Sequence, residues 1–133
     1  MVVRQRERRV LVVDDEENAR LGLSKILELD GYWVHSVANG REALDFLQRQ
    51  QVHVVISDLQ MPEMNGISLL RELNRNHPGT RFIMVTAHGG VDSYLEAIDL
   101  GAYEYINKPI KVEELRLVMK KMLKKQRVVK TTH

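Results

Sequence analysis

The sequence predicts a single α/β domain of the doubly wound (βα)5 type, with helices on both faces of a parallel sheet. Five short runs rich in β-branched residues alternate with five amphipathic stretches along the 133 residues. Three of the five runs are almost wholly apolar, which is typical of strands covered on both faces. Alternation with short links favours parallel strands and right-handed crossovers, and the length suits one domain.

The strand-like and helix-like segments follow one another in strict order. The strand-like runs are Arg9–Val13, Trp33–Val37, Val52–Ser57, Arg81–Val85 and Glu104–Ile106. The helix-like segments lie near Asn18–Asp30, Arg41–Gln50, Ile67–Asn76, Val91–Leu100 and from Val112 to about Lys125. Turn or helix-end signals separate them at Asp30-Gly31, Asn39-Gly40, His77-Pro78-Gly79 and Leu100-Gly101.

Two of the helices carry an apolar stripe at helical spacing, which predicts the face that each turns to the core. On the first helix the stripe is Ala19, Leu23, Ile26 and Leu27. On the last helix it is Leu115, Val118, Met119 and Met122. The methionines in this pattern indicate core packing rather than a cofactor site.

The composition excludes several classes of protein. There is no cysteine, so disulfides, thiolate metal sites and a cysteine nucleophile are excluded. The basic first residues lack a following apolar segment, and the longest near-continuous apolar run, Val10–Val13, is too short to span a membrane. We therefore expect a soluble cytoplasmic domain with no membrane partner.

The net charge of +2 conceals an acidic body between two basic ends. Residues 1–9 contain four Arg and one Glu, and residues 120–133 contain five Lys and one Arg. Residues 10–119 carry ten basic and seventeen acidic side chains, so we expect no direct binding of nucleic acid. The predicted division is a basic tail over 1–8, the domain over 9–125, and a basic tail or severed linker over 126–133.

Side chains that can bind ions or take part in a reaction follow four of the five predicted strands. Asp14 and Asp15 come directly after the first strand, Asp58 ends the third, Thr86 ends the fourth, and Lys108 follows the fifth. Because parallel strands gather their carboxyl ends at one edge of a sheet, these groups should meet there. Nothing in the local sequence requires such a convergence, so it carries functional information.

The three carboxylates predict a magnesium site, and the whole group predicts phosphoryl chemistry. Asp14, Asp15 and Asp58 would repel one another, and a hard divalent cation resolves that repulsion. Asp58 is the candidate nucleophile toward phosphorus, with Lys108 and the Thr86 hydroxyl as donors to phosphoryl oxygens. Taken singly, each has a simpler interpretation. The acids would favour a helix N-terminus, the lysine would lie at the surface, and the threonine would merely fit the sheet.

Several stretches together resemble the receiver domains of bacterial two-component response regulators, over roughly residues 9–123. They are Val10–Glu16, Ser57–Gly66, Val85–Ala87, Gly101–Tyr105 and Lys108-Pro109. The resemblance implies a flavodoxin-like five-stranded parallel sheet, and a phosphorylation-controlled switch rather than an enzyme acting on other molecules. Asn65 and Ile110 depart from the residues commonest in the family, without removing a chemical group.

The family resemblance also implies roles for individual residues at the phosphorylation site. Asp58 resembles the phosphoacceptor, Asp15 a direct Mg²⁺ ligand, and Asp14 a ligand that often acts through water. The backbone carbonyl of Gln60 resembles the third protein ligand, and Lys108 the phosphate-binding lysine. The domain would catalyse its own phosphorylation and dephosphorylation.

The same resemblance implies how the signal leaves the site. Thr86 resembles the switch hydroxyl and Tyr105 the switch aromatic, which together alter the surface of the fourth helix, fifth strand and fifth helix. The implied partners are a sensor histidine kinase, an output domain or effector, and a second copy docked through that surface. Leu21, predicted to lie opposite the core stripe of the first helix, is a candidate kinase contact.

Two side chains are candidates for setting the lifetime of the acyl phosphate. Gln60 lies two residues after Asp58, and His88 lies two residues after Thr86. Each is placed to orient or shield the attacking water. Gly89 and Gly90 predict a mobile loop there, so shielding by His88 should be incomplete.

Other classes of protein fit the sequence less well. A haloacid-dehalogenase-like phosphatase needs a second acid where Gln60 stands, and a flavodoxin-like cofactor binder needs a phosphate loop where Asp14-Asp15-Glu16 stands. An interaction module with relic acids is a third class, which Mg²⁺-dependent labelling by an acyl phosphate would distinguish. Residues 86–97 resemble receivers attached to AAA+ activators of transcription, so the chain is either a stand-alone receiver or a piece of a longer regulator.

Overall fold

The computed structural model describes the backbone of residues 8–131 and the side chains as far as Leu123. The strands are β1 (Arg9–Val13), β2 (Trp33–Val37), β3 (Val54–Asp58), β4 (Arg81–Thr86) and β5 (Glu104–Asn107). The helices are α1 (Glu17–Leu29), α2 (Gly40–Arg49), α3 (Gly66–Asn76), α4 (Val91–Asp99) and α5 (Val112–Thr131). The predicted (βα)5 order is confirmed.

All five strands are parallel and lie in the order β2-β1-β3-β4-β5. The chain moves from β1 to the edge strand β2 and then crosses to β3 on the other side of β1. The direction of winding therefore reverses between β1 and β3, and the crevice at such a reversal is where ligands bind in open α/β sheets.

Alternation along each strand divides the core into two layers. In β1, Val10 and Val12 face a layer formed with α1 and α5, whereas Leu11 and Val13 face a layer formed with α2, α3 and α4. The predicted α5 stripe is buried throughout, and α1 buries Leu23 and Leu27 of its predicted stripe. Helices therefore cover both sheet faces, as predicted.

Two boundaries, the start of β3 and the end of α5, differ from the sequence expectation by more than one residue. β3 begins at Val54 rather than Val52, because its pairing with β1 starts at Val10 opposite Val54. α5 continues to Thr131 beyond the expected end near Lys125, because no Gly or Pro interrupts its helix-forming sequence. Residues 1–7 of the predicted basic tail lie outside the described part of the chain, as do residues 132–133.

No helix within the described range 8–131 combines the length and apolar character needed to cross a membrane.

Candidate phosphorylation site

The predicted functional residues lie at the carboxyl edge of the sheet. Asp14 directly follows β1, Asp58 is the last residue of β3, Thr86 is the last residue of β4, and Lys108 directly follows β5. Since β1 and β3 are neighbours and β4 and β5 come next, all four positions face one crevice.

Lys108 forms ion pairs with two of the predicted carboxylates. Its Nζ lies 2.9 Å from Oδ2 of Asp14 and 3.2 Å from Oδ2 of Asp58. The side chains are shielded from water, with exposed fractions of 22% for Lys108, 7% for Asp14 and 12% for Asp58. Because screening by solvent is weak in such a position, these pairs are stronger than ordinary surface ion pairs.

Asp15 completes a group of three carboxylates. Within the described residues, Asp14, Asp15 and Asp58 each offer one carboxylate oxygen, and these oxygens lie within 4.8 Å of one another. Asp14 is buried, Asp58 is partly buried and Asp15 is exposed. This set of hard oxygen ligands suits Mg²⁺, which prefers carboxylates and keeps part of its water shell.

The cap of α1 is formed by Glu16 and not by the acidic pair. Glu16, not Asp14 or Asp15, is the N-cap residue, and its carboxylate accepts hydrogen bonds from the backbone N–H groups of Asn18 and Ala19. The aspartates are therefore not needed to cap the helix, which leaves them available to the crevice.

The electrostatic balance of the crevice perturbs both Asp58 and Lys108. Burial raises the pKa of Asp58 and the nearby Asp14 carboxylate adds to this, against the opposing attraction of Lys108. Burial alone would lower the pKa of Lys108, but its hydrogen bonds and attraction to Asp14 and Asp58 raise the pKa above its usual value. The lysine is therefore charged, while the ionised form of Asp58 is less stable here than it would be in water.

Backbone contacts hold the two paired carboxylates in place. The Glu16 N–H donates to Oδ1 of Asp14 over 2.9 Å, and the Gln60 N–H donates to Oδ1 of Asp58 over 3.3 Å. The Arg20 guanidinium donates to the backbone carbonyl of Asp14 over 2.9 Å. Glu16 and Arg20 received no role in the sequence prediction: it missed the local turn in which Asp14 accepts the N–H two residues on, and the contact of Arg20 follows from no local pattern.

Thr86 is buried, and its hydroxyl oxygen accepts the His88 N–H over 3.1 Å. The backbone N–H of Lys108 donates to the Thr86 carbonyl over 2.8 Å, which ties the two strand ends together. The His88 side chain and Gln60 are exposed at the rim of the crevice. The Lys108–Pro109 peptide bond is cis.

Tyr105 lies apart from the charged groups and packs against the start of α4. Its ring is partly buried, and its hydroxyl is 2.8 Å from the Ser93 hydroxyl. Leu21, the candidate kinase contact, is exposed on α1. The structure thus brings Asp14, Asp58 and Lys108 into direct contact and leaves Tyr105 on the adjoining surface.

Comparisons with known proteins agree with this geometry. The family described as "Response regulator receiver domain" matches residues 10–120. The chain belongs to the response regulator receiver domain family. It is thereby a phosphorylation-regulated switch of two-component signalling, which confirms the prediction from the sequence.

Three similar proteins match most of this chain but differ in how much of their own length is matched. The regulatory protein AtoC of Escherichia coli (strain K12) is 38% identical over 122 residues, which cover 92% of this chain and 26% of AtoC. Sporulation initiation phosphotransferase F of Bacillus subtilis (strain 168) is 33% identical over 115 residues, which cover 86% of this chain and 93% of that protein. The solved structure of the beryllofluoride-activated NtrC4 receiver domain dimer is 39% identical with a TM-score of 0.80, and the match covers 84% of this chain and 93% of that one. The receiver domain therefore spans about a quarter of AtoC and nearly all of the phosphotransferase.

We expect Asp58→Asn to raise the melting temperature of the metal-free receiver domain at neutral pH, by about 2–5 °C. The folded-state pKa of Asp58 is raised, so ionisation costs folding free energy as pH rises through that pKa. The gain should therefore shrink as pH falls into the range where Asp58 takes up a proton. Thermal unfolding of the parent and the variant, in the presence of a chelator and at several pH values, measures this difference in melting temperature.

The matched control is Asp45→Asn, which changes an exposed acid on α2. It should leave the melting temperature within about 1 °C of the parent at every pH. A melting temperature that fell in Asp58→Asn at neutral pH, or rose equally at all pH values, would contradict the electrostatic interpretation.

Proposed function

We propose that Asp58 accepts a phosphoryl group from a sensor histidine kinase and that the chain itself promotes this transfer. The observation that carries the proposal is the Lys108 ammonium, which lies between the carboxylates of Asp14 and Asp58 in a shielded crevice. A cation fixed beside a partly desolvated carboxylate suits the binding of a phosphoryl group better than it suits a structural ion pair.

The transfer makes one bond and breaks another. A carboxylate oxygen of Asp58 bonds to phosphorus, and the bond from phosphorus to the imidazole nitrogen of the donor breaks. Lys108 donates to a phosphoryl oxygen as negative charge is redistributed. Because the Thr86 hydroxyl oxygen accepts the His88 N–H, its own proton remains to be donated to another phosphoryl oxygen.

Mg²⁺ would be held by Asp14, Asp15 and Asp58 with the backbone carbonyl of Gln60. The close approach of the three carboxylates supports this ligand set, since all its donors are hard oxygens. When bound, the ion offsets the carboxylate charge and that of the phosphoryl oxygens. Asp15 is the most exposed of the three carboxylates, so it is the one that an ion arriving from solvent reaches most easily.

Acetyl phosphate with Mg²⁺ should add one acid-stable, base-labile phosphoryl group to the chain. Asp58→Asn should lose the label by more than 100-fold because the nucleophile is gone, whereas Asp45→Asn should label like the parent. Asp15→Asn should require at least about tenfold more Mg²⁺, because one ligand is weakened. Mass spectrometry of the intact chain across a Mg²⁺ titration measures all three.

Label that persisted at the parental rate in Asp58→Asn would exclude Asp58 as the acceptor. An unchanged Mg²⁺ requirement in Asp15→Asn would remove Asp15 from the ligand set while leaving the acceptor assignment intact.

Gln60 and His88 are proposed to modulate the lifetime of the acyl phosphate, since both are exposed beside the strand ends that bear Asp58 and Thr86. Gln60→Ala and His88→Ala should each change the dephosphorylation rate several-fold, equivalent to about 1 kcal/mol or less of barrier, because each positions or shields one water. The loss of label after donor removal in excess Mg²⁺ measures the rate. Identical rates in the parent and both variants would rule out this role.

The signal is proposed to run from Thr86 through Tyr105 to the surface of α4, β5 and α5. That surface carries an exposed apolar stripe on α4, made of Val91, Tyr94, Leu95 and Ile98 at the spacing of one helix face. We propose a second copy of the chain as its occupant after phosphorylation, supported by the dimeric state of the NtrC4 receiver domain. An output domain or effector controlled by this change is the further proposed partner.

Beryllofluoride with Mg²⁺ should drive the chain toward a dimer in sedimentation equilibrium. Leu95→Asp should weaken that dimer at least about tenfold, because it buries a charge in the apolar contact. Leu29→Asp is the control, since Leu29 is also exposed but lies on α1, on the other face of the sheet from α4. A chain that stayed monomeric with beryllofluoride, or a dimer insensitive to Leu95→Asp, would refute the proposed occupant.

A further inference from the structure

The hydroxyl of Tyr105 is enclosed at the start of α4 by two residues that have no assigned role. It is 2.8 Å from the Ser93 hydroxyl and lies directly against Gly89. The ring also meets the Tyr94 ring edge-on, with centroids 5.4 Å apart. The aromatic side chain is therefore attached to the first turn of α4 as well as to β5.

The hydrogen bonds of Ser93 connect the Tyr105 hydroxyl to the backbone at the start of α4. Its hydroxyl donates to the Gly90 carbonyl over 3.0 Å and accepts the Gly90 N–H over 3.1 Å. A serine hydroxyl has one proton and two lone pairs, so when its proton is on the Gly90 carbonyl the remaining lone pair accepts the Tyr105 proton. Ser93 thus closes the first turn of α4 and receives the Tyr105 proton at the same oxygen.

Gly89 is required by the close approach of two side chains and not by its backbone conformation. A Cβ built on Gly89 would lie 2.1 Å from the Tyr105 hydroxyl oxygen and 2.7 Å from the Thr86 methyl carbon. Gly89 does not adopt a positive φ angle, so its backbone accepts alanine without strain. The absent side chain leaves the space in which Thr86 and Tyr105 come together.

We propose that Gly89 and Ser93 are positioning residues that seat Tyr105 beside Thr86 and fasten it to the first turn of α4. Gly89 admits the hydroxyl, and Ser93 joins it to the helix. A displacement of Tyr105 therefore disturbs the start of α4, and a shift of α4 releases the ring. The coupling is a property of the unphosphorylated chain, and its use in signalling rests on the proposed function of Asp58 and Thr86.

The first test is hydrogen exchange at the Tyr94 and Leu95 amides in the unphosphorylated chain. Tyr105→Phe removes only the hydroxyl and should speed exchange about five-fold, the effect of one lost hydrogen bond of about 1 kcal/mol. Tyr94→Phe is the matched control, because it removes the hydroxyl of an exposed tyrosine on the same helix while keeping the ring, and the amides of this variant should exchange like those of the parent.

The second test is the position of the Tyr105 ring relative to Thr86, measured by nuclear Overhauser contacts from the ring protons to the Thr86 methyl. Gly89→Ala should abolish these contacts, since its methyl would occupy the place of the hydroxyl. Gly90→Ala should keep them, because a Cβ at Gly90 meets nothing within 4 Å. Ser93→Ala should weaken the contacts and Ser93→Thr should restore them, because threonine keeps the hydroxyl.

Exchange in Tyr105→Phe equal to the parent, or ring contacts in Gly89→Ala equal to those in Gly90→Ala, would overturn the proposal. Neither result depends on phosphorylation. Labelling of Asp58 in the same variants reports separately on the phosphoacceptor, so failure of one assignment is distinguishable from failure of the other.

Discussion

The ion pairs of Lys108 with Asp14 and Asp58 are the interaction on which the crevice of this receiver domain depends. They connect residues 94 and 50 positions apart, and they join the end of β5 to the ends of β1 and β3. The sheet places β1 and β3 side by side, with β4 and β5 beyond them, and in this order one lysine reaches both carboxylates. The apolar layers on both faces stabilise that strand order, and they thereby set the positions of the three charged side chains.

The charges at this edge do not balance. One ammonium faces three carboxylates, and burial makes ionised Asp58 costly enough to raise its pKa. An additional cation would relieve this cost, and it would also offset the negative charge that an acyl phosphate at Asp58 adds. The charge balance of the unphosphorylated site therefore favours the binding of a cation, and without one the ionised carboxylates lower the stability of the fold.

The sequence predicted most of the fold and the chemical groups of the site, for different reasons. Apolar periodicity gave the elements because burial on two faces imposes it, and parallel winding then placed Asp58 and Lys108 at one edge. Periodicity could not give the start of β3, which depends on its register with β1. Local sequence likewise could not assign the helix cap to Glu16 or the contact of Arg20 with Asp14.

Gly89 shows most clearly where sequence reasoning ends. Two adjacent glycines predict a mobile loop, but the structure distinguishes them, since only Gly89 borders the Tyr105 hydroxyl and the Thr86 methyl. The distinction arises from residues contributed by β4 and β5, which no local pattern reveals.

This arrangement also explains why the movable part of the domain should lie beyond β4 rather than at the charged groups. An ammonium has three protons, and within the described residues Lys108 uses two of them on Asp14 and Asp58. The third is available to a phosphoryl oxygen without loss of the pair with Asp14. Thr86 differs under the proposed function, because its hydroxyl would turn its proton toward the new group, and its methyl and the Tyr105 hydroxyl border the same space beside Gly89. In the proposed route the lysine therefore responds to phosphorylation in place, whereas a movement of Thr86 is passed to Tyr105 and, through Ser93, to the first turn of α4.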